Sequence, residues 1–481
     1  MVDAAVDQPL PSTVQCAAAV GERVHELLSA GLNSERASEV ALLNNPRVLS
    51  GLARVGAARA DVVQAGLFSN PKVSLMLRWP DGGGLTNLEM NVAQNIAELW
   101  QIPARKESAE RDLRRVILDT AREAAQTALD ARSAYHRATR AQREQALAED
   151  NLEITRQLLE IALARREAGA GSEIDINLAR ALHLETELRL REARLSVVEL
   201  RAALARVLGL TLNPREIRLI DDAAPPDISP INAQAVIRAA DEHRLDLRSA
   251  RSMVQAAAAR VEYEKTRFLR EIEVGISAER MERARRADRN WTNEAVWATA
   301  EEGMLALPSL MPRERLQTDW VIGPTLMFEL PLFDLNDAQI ARARYERRAA
   351  DAVLEAIRRE VVQDAWIAYE RAAVAWSNTR FYAEELLPLE QDSLVLAREA
   401  YQAGRSSLLA VLDAQKTLLA SRTGYVRAQE AAQLAAIELE RVAGCSLQTL
   451  IAQAPSGDAQ APTSQPITPA PGAAESPENS Q

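Results

Sequence analysis

The chain is poor in the residues that most compact folds lean on. Aromatic residues make up only 4% of its 481 positions, and Gly and Pro number 19 and 21. Alanine and charged residues dominate instead, a balance that argues against a sandwich or a Rossmann enzyme and for long helices and coiled coils. The two cysteines, Cys16 and Cys445, make neither a disulfide framework nor a zinc site. No apolar run reaches the roughly 18 residues of a membrane-spanning helix. The four histidines, His25, His136, His183 and His243, are scattered. "HLETE" at His183 is not the HExxH of a metalloprotease, and no GxSxG, P-loop or GxGxxG occurs. No enzyme, metal centre or cofactor is expected. A net charge of −11 argues against nucleic acid as a main partner. The opening "MVDAAVDQPLPSTVQC" has no basic n-region and no apolar h-region, so no secretory signal is read in it.

What the chain does have is an internal repeat. Gly169 and Gly404 are 235 residues apart (404 − 169), and Ser172/Ser407, Ala179/Ala414 and Gly209/Gly444 keep the same spacing. Upstream, "NPRVLSGLARVGAARADV" aligns on "RLDLRSARSMVQAAAARV" at an offset of 199 (244 − 45). The difference of 36 residues places an insertion in the second copy, between about Met281 and Trp320. Each half is therefore one structural unit.

In the first half, Ala104 to Glu167 contains no Pro and no Gly. Steps of four and three from Leu113 through Ile117, Thr120, Thr127, Ala131, Ala138 and Thr155 to Ala162 meet no charged residue, although Arg and Glu surround them. That is a heptad seam over about seven heptads. A helix this long extends roughly 95 Å. Pro103 is read as preceding it, and Gly169 and Gly171 as ending it. A second helix runs back from Glu173 to Leu208, and the second half repeats the pair at Ala338–Gln402 and Leu408–Ala443. Ser172 and Ser407 are placed to cap the returning helices.

Before each hairpin the period changes to two. "KVSLMLRW" and "LEMNVAQ" in the first half, and "EIEVGISAE" and "VIGPTLMFEL" in the second, are strands of roughly eight to ten residues, two per half. Phe68, Trp79, Trp100, Phe268, Trp320, Phe328 and Phe333 gather at their ends. Short alternating strands with aromatic ends are the signature of a transmembrane β-barrel; a soluble sheet capping a helical bundle is the other reading of the strands alone. Four strands cannot enclose a pore, but three chains would supply twelve.

The stretches "ALLNNPRVLSGLARVGAARADVVQAGLFSNPKVSL", "NVAQNIAELWQIPARK", "GPTLMFELPLFD" and "YQAGRSSLLAVLDAQKTLL", in a twofold helix–strand–strand–helix order, resemble the outer-membrane factor (TolC-like) family over about Ala37 to Cys445. The resemblance implies a mainly α fold with a β-barrel part. Long antiparallel hairpins would form an α-barrel, with four transmembrane strands per chain closing as a trimeric twelve-stranded barrel. It implies a homotrimer in the outer-membrane lipid of a Gram-negative bacterium, with a tunnel reaching into the periplasm. A periplasmic adaptor protein and an inner-membrane pump would be its partners. It divides the chain into an N-terminal extension (1–36), a first repeat (37–210), an equatorial linker (211–232), a second repeat (233–445) and a disordered Pro/Ala/Ser-rich tail (446–481). The inserted 281–320 segment would be a long external loop.

Residue by residue, the resemblance implies that the turns at Gly169, Ser172, Gly404 and Ser407 dock the adaptor. Asp413 would form an acidic ring at the constriction, where three carboxylates would attract cations and repel anions. Many members carry a second acid three positions earlier; here that position is Ala410. Tyr401 and Asp175 match positions that in some members tie the inner helix pair to its neighbour in the closed state, and Arg405 is one residue from the family's usual basic position. "STVQC" has Gln where a lipidated Cys16 would be preceded by a small residue, and "AELWQIPARK" departs from the Gly-Gly-Lys-Arg stretch of the heavy-metal branch. A poreless coiled-coil structural or adaptor protein is the rival reading, and a type I protein-secretion channel would use the same fold. Cargo is not legible in the sequence.

Overall fold

A computed structural model describes residues 13–79, 86–169, 171–220, 226–286, 291–303 and 314–453. Helices α1 (Thr13–Ser29), α2 (Ser34–Asn44) and α3 (Pro46–Ala65) lead into strands β1 (Lys72–Arg78) and β2 (Asn87–Asn95). The hairpin of α4 (Glu98–Glu167) and α5 (Glu173–Leu208) follows. The second half repeats the plan with α6 (Ala233–His243), α7 (Leu245–Thr266), β3 (Ile272–Arg286), α8 (Trp291–Glu302) and β4 (Glu314–Phe328). Its hairpin is α9 (Asp337–Phe381) and α10 (Leu387–Gln402) against α11 (Leu408–Ala443), closed by α12 (Leu447–Gln453).

The 70 residues of α4 make a rod of roughly 105 Å. Its seam is where the heptads put it: Thr120, Thr127, Ala131, Ala134, Ala138, Ala141, Thr155 and Ala162 are buried, and Ile117 is the one exposed member. Pro103, expected ahead of the helix, lies inside its second turn. The turn survives the missing N–H because its side chains are tied to the α7–β3 connector: Gln101 Nε2 donates to the Leu269 carbonyl at 2.8 Å and Trp100 Nε1 to the Thr266 carbonyl at 3.3 Å.

The matching rod of the second half is broken by a π-turn, Tyr382–Leu386, between α9 and α10. Pro388 lacks the N–H that an α-helix would aim at the Glu384 carbonyl, and the wider turn absorbs that loss. On the facing helix, a Cβ at Gly424 would sit 2.7 Å from the Tyr382 hydroxyl, so the ring rests on bare backbone.

Both repeat offsets are visible in the packing. Gly209 and Gly444 end α5 and α11 with φ of +69° and +73°. Each is pressed against the turn that opens its own half: a Cβ would lie 2.6 Å from the Asn44 carbonyl oxygen in one and 2.8 Å from the Arg244 backbone in the other. The segment expected as an equatorial linker also packs into the core. Leu32 and Leu219 pair as a parallel bridge, and Val24, Leu27, Leu32 and Val40 pack on Tyr135, Leu204 and Leu208. The N-terminal extension thus contributes to the core through Val24, Leu27 and Leu32. Beside it, burial first and then the Arg132 guanidinium push the His136 imidazole down to about 4.

Two further expectations are corrected. The tail placed from residue 446 begins with a helix, α12, whose Leu447 and Leu450 are buried in the second core cluster; the part beyond residue 453 lies outside the described residues. The insertion is not simply a loop, and the strands are not uniform. β3 and β4 run for 15 residues each against 7 and 9 for β1 and β2, and α8 sits between them. The extra residues prolong the β3–β4 ladder up to the Arg286–Glu314 pair.

Gly169 and Gly404 share the left-handed backbone but face open space. Alanine at any of the four sites carries a left-handed cost of about 1–2 kcal/mol. Gly209→Ala and Gly444→Ala must also displace backbone, so thermal unfolding should show a clearly larger drop in Tm for these two than for Gly169→Ala and Gly404→Ala.

Candidate functional site: the hairpin tips and an inverted sheet

At the first tip, Ser172 caps α5 in a full capping box. Its Oγ accepts from the Asp175 N–H at 3.1 Å, and the Asp175 carboxylate accepts from the Ser172 N–H at 3.2 Å. Asp175 is therefore occupied with its own helix start. At the second tip, Ser407 holds the cap position with extended backbone but makes no side-chain cap bond, so that expected cap is not formed. The turn is held by backbone instead: the Arg405 N–H donates to the Ala400 carbonyl at 2.8 Å, a Schellman-type closure around left-handed Gly404. The Ser406 hydroxyl is buried without a partner. Gly169, Ser172, Gly404 and Ser407 are all exposed, and so are the repeat-related Ile174 and Leu409.

Tyr401 is buried, not free at the tip. The Arg165 guanidinium stacks 4.3 Å from its ring centroid and donates to its carbonyl at 3.1 Å, tying the end of α4 to the end of α10. Around it, Leu158, Ala162, Ile176, Leu394, Leu408 and Val411 form the third core cluster. One turn further along, Gln415 and Asn151 are both buried. Gln415 Nε2 donates to Asn151 Oδ1 at 3.2 Å, and Arg398 donates to Gln415 Oε1 at 3.3 Å. The structure thus joins the two hairpins through Arg165–Tyr401 and Asn151–Gln415–Arg398, and does not pair Tyr401 with Asp175 or Arg405. Gln415 had a visible signal, a polar residue in the apolar stripe Leu408, Val411, Leu412, Leu418; Arg165 had none. Asp413 is exposed on α11, with no side-chain hydrogen bond or ion pair to a described residue, and Lys416 follows three positions on, also exposed.

The sheet is antiparallel in the order β1-β2-β3-β4, with both halves joined by the β2–β3 ladder. Opposed residues share a face. One face carries the rows Leu75, Met90, Ala278, Ile322 and Val73, Val92, Ile276, Pro324, bounded by Leu77, Leu88, Arg280 and Trp320. The other carries Ser74, Asn91, Ser277, Gly323 and Met76, Glu89, Glu279, Val321. The burial is inverted relative to a soluble sheet. Val73, Leu75, Ile276 and Ile322 are more than 60% exposed, whereas Asn91, Glu89, Ser277 and Gly323 are half-covered. On that polar face Thr325 Oγ1 lies 3.1 Å from Asn91 Oδ1, reaching across β3 at Gly275, the position opposite Ala93 and Thr325 that lacks a side chain. A Cβ at Gly275 would meet the Val92 carbonyl oxygen at 2.4 Å.

The described part of every level ends in two open edges. β1 and β4 each lack one neighbour. Among the helices, α3 and α5 flank one side and α9 and α10 the other, with exposed Leu52 and Val63, Leu184, Leu188 and Leu195 on the first and Val353, Trp366, Val374 and Leu396 on the second. No helix is long and apolar enough to cross a membrane among the described residues.

Comparison with known proteins agrees with this geometry. Residues 236–445 match the family model "Outer membrane efflux protein". The cobalt-zinc-cadmium resistance protein CzcC of Cupriavidus metallidurans is 26% identical over 301 residues, 62% of this chain and 63% of that protein, so the chain matches less than two thirds of that relative's length. The outer-membrane channel OprN superposes with a TM-score of 0.65 at 19% identity, covering 86% of this chain and 90% of its own. The outer membrane protein VceC of Vibrio cholerae gives 0.64 at 16% identity, with 86% and 96% covered. The resemblance to the outer-membrane factor family is borne out: the second repeat carries the efflux-protein sequence model, and nearly the whole chain has the fold of the channels.

Replacing Ser172 by Ala should cost about 1 kcal/mol and speed hydrogen exchange in the first turn of α5. Ser407→Ala should leave the first turn of α11 unchanged, since no cap bond is lost there.

Proposed function

We propose that three copies of this chain form an outer-membrane efflux channel, in which four strands from each close a twelve-stranded barrel and the long hairpins close a tunnel in the periplasm. The observation that carries this reading is the inverted sheet: an exposed apolar face, a polar face half-covered on β2 and β3, and two edges unpaired among the described residues. Water outside and a dry core inside would demand the opposite arrangement, whereas a barrel wall puts its apolar side chains toward lipid and its polar ones toward a channel. The edges support closure by rotation, because one flank is built from the first half at every level and the other from the second. A head-to-tail contact of this kind closes into a ring where its rotation divides a full turn, and runs on as a filament where it does not. The number three comes from the family resemblance and from the strand count.

The rival reading, a poreless coiled-coil structural or adaptor protein, leaves the exposed apolar face without a partner. The two tips are the proposed adaptor-docking ends, with Gly169, Ser172, Gly404 and Ser407 at the turns and Ile174 and Leu409 as the apolar residues beside them. An inner-membrane pump supplies the cargo in this scheme. Similarity to a cobalt-zinc-cadmium resistance protein makes divalent cations the first cargo to test, ahead of drugs or secreted proteins. Asp413 is the proposed constriction ring, its negative charge moderated by nearby Lys416. Of the proposed gate residues, Tyr401 and Asp175 are engaged within the chain, so Arg405 remains for a contact between chains.

The test is the protein exported with a fused signal sequence. Unboiled outer-membrane material should run as a trimer-sized band that collapses on boiling, and its bilayer conductance should prefer cations. Asp413→Ala should weaken that preference and Lys416→Ala strengthen it. Recovery solely as a soluble, helical, non-conducting species would sink the channel.

A further inference from the structure

The seam that joins the two halves inside the chain is largely ionic. Along α4 and α11 it carries Arg132–Glu440, Arg441–Asp130 at 2.9 Å, Arg140–Glu430 at 2.9 Å and Arg427–Glu144 at 3.0 Å. Nearer the sheet α4 meets α7 instead, and Arg111 donates to Gln255 at 3.3 Å.

The internal repeat says which residues stand at the corresponding places on the two open flanks. Helix α3 corresponds to α7 at an offset of 199, and α5 to α11 at 235. For the rods the offset is 234 (364 − 130): "DARSAYHRATRA" from Asp130 matches "DAWIAYERAAVA" from Asp364 at seven of the twelve positions. Ala131, Ala134 and Ala138 are buried on one rod, and Ala365, Ala368 and Ala372 on the other. The π-turn at Tyr382–Leu386 holds the one extra residue that makes the offset 235 at the tips.

Transferred by these offsets, α4 becomes α9, while α11 and α7 become α5 and α3. Arg140–Glu430 becomes Val374 opposite Leu195, Arg132–Glu440 becomes Trp366 opposite Ala205, and Arg111–Gln255 becomes Tyr345 opposite Gly56. Of the four ion pairs only Arg441–Asp130 keeps its charges, as Arg206 and Asp364. Val374, Leu195, Trp366 and Tyr345 are all more than 40% exposed in the single chain. A Cβ at Gly56 would meet nothing within 4 Å, so an aromatic ring has room there.

We infer that the two flanks bind a second copy of this chain in the register of its own internal seam, with Tyr345, Trp366 and Val374 of one copy set on Gly56, Ala205 and Leu195 of the next, and with apolar packing in place of ion pairs. This rests on the ring of the proposed function and goes beyond it by naming the contacts and their chemistry. A repeat that cannot bury its faces alone buries them on its neighbours, and here the same backbone is presented twice. The chemistry also fixes which flank meets which. With α4 of one copy laid on α5 of another, Arg140 would lose Glu430 and face Leu195, and a covered charge without its partner is costly. First half therefore meets second half all round the ring.

The test moves the internal pair to the seam between copies, in the full exported chain. Leu195→Glu alone should make the trimer-sized band collapse at a clearly lower temperature. Val374→Arg combined with Leu195→Glu recreates Arg140–Glu430; it should restore the band at low salt and lose it again in about 1 M salt, where charges are screened beyond about 3 Å. The unaltered band should depend far less on salt. Should Leu195→Glu fail to be exported, Val374→Cys with Leu195→Cys, in the chain with Cys16 and Cys445 replaced, should oxidise to a ladder of three chains, several-fold more than Val374→Cys with Leu188→Cys, one heptad away. A double variant no more stable than Leu195→Glu, or equal cross-linking at 188, in protein that still gives the trimer-sized band, would overturn this register and leave the channel standing. Absence of that band from the unaltered protein would remove the ring itself.

Discussion

The outer backbone edges of β1 and β4, unpaired among the described residues, are the constraint on which the rest of the molecule turns. An open edge of a sheet is a row of donors and acceptors that must find partners or water, and in lipid water is not an option. This sheet also turns its hydrophobic side outward. Both features are liabilities in a free chain and both vanish in a closed ring within a membrane. The helices follow the same logic. α3 and α5 on one flank, α9 and α10 on the other, leave Leu, Val and Trp side chains exposed that a neighbouring copy would cover.

Within the chain, the duplicated halves are locked before any closure. The β2–β3 ladder joins them in the sheet, and the Thr325–Asn91 bridge crosses β3 where Gly275 leaves room. Midway along the rods the ion pairs Arg132–Glu440 and Arg441–Asp130 join α4 to α11. At the tips Arg165 holds Tyr401, and Asn151 holds Gln415. The halves have also diverged. The first hairpin has an unbroken rod, while the second has a π-turn with Tyr382 laid on Gly424.

Much of this was legible in the residues. Heptads without charge marked the rod, and glycines at a constant spacing marked the repeat and both tips. Helices α5 and α11 begin and end where the Ser and Gly residues said they would. What was not legible depended on partners distant in sequence. Pro103 looked like a start signal, but the α7–β3 connector, some 165 residues away, holds it inside the helix. Ser407 looked like a cap because Ser172 is one, yet its turn is closed by backbone alone. The inserted segment read as loop because "MERARR" has no apolar alternation; its strand is defined only by backbone pairing with β4. The role of Arg165 could not be read from spacing at all, since it is defined by an aromatic ring 236 positions away.

Cysteine cross-linking between the two edge strands tests the closed ring most directly. With Cys16 and Cys445 replaced, Ser74→Cys on β1 would be combined in turn with Val321→Cys, Gly323→Cys and Thr325→Cys on β4, all on the polar face. Oxidation of outer membranes should give, for at least one pair, a denaturation-resistant ladder that stops at three chains. A ladder that continues past three, or no cross-link at any pair in correctly exported protein, would contradict head-to-tail closure of this sheet into a trimeric barrel.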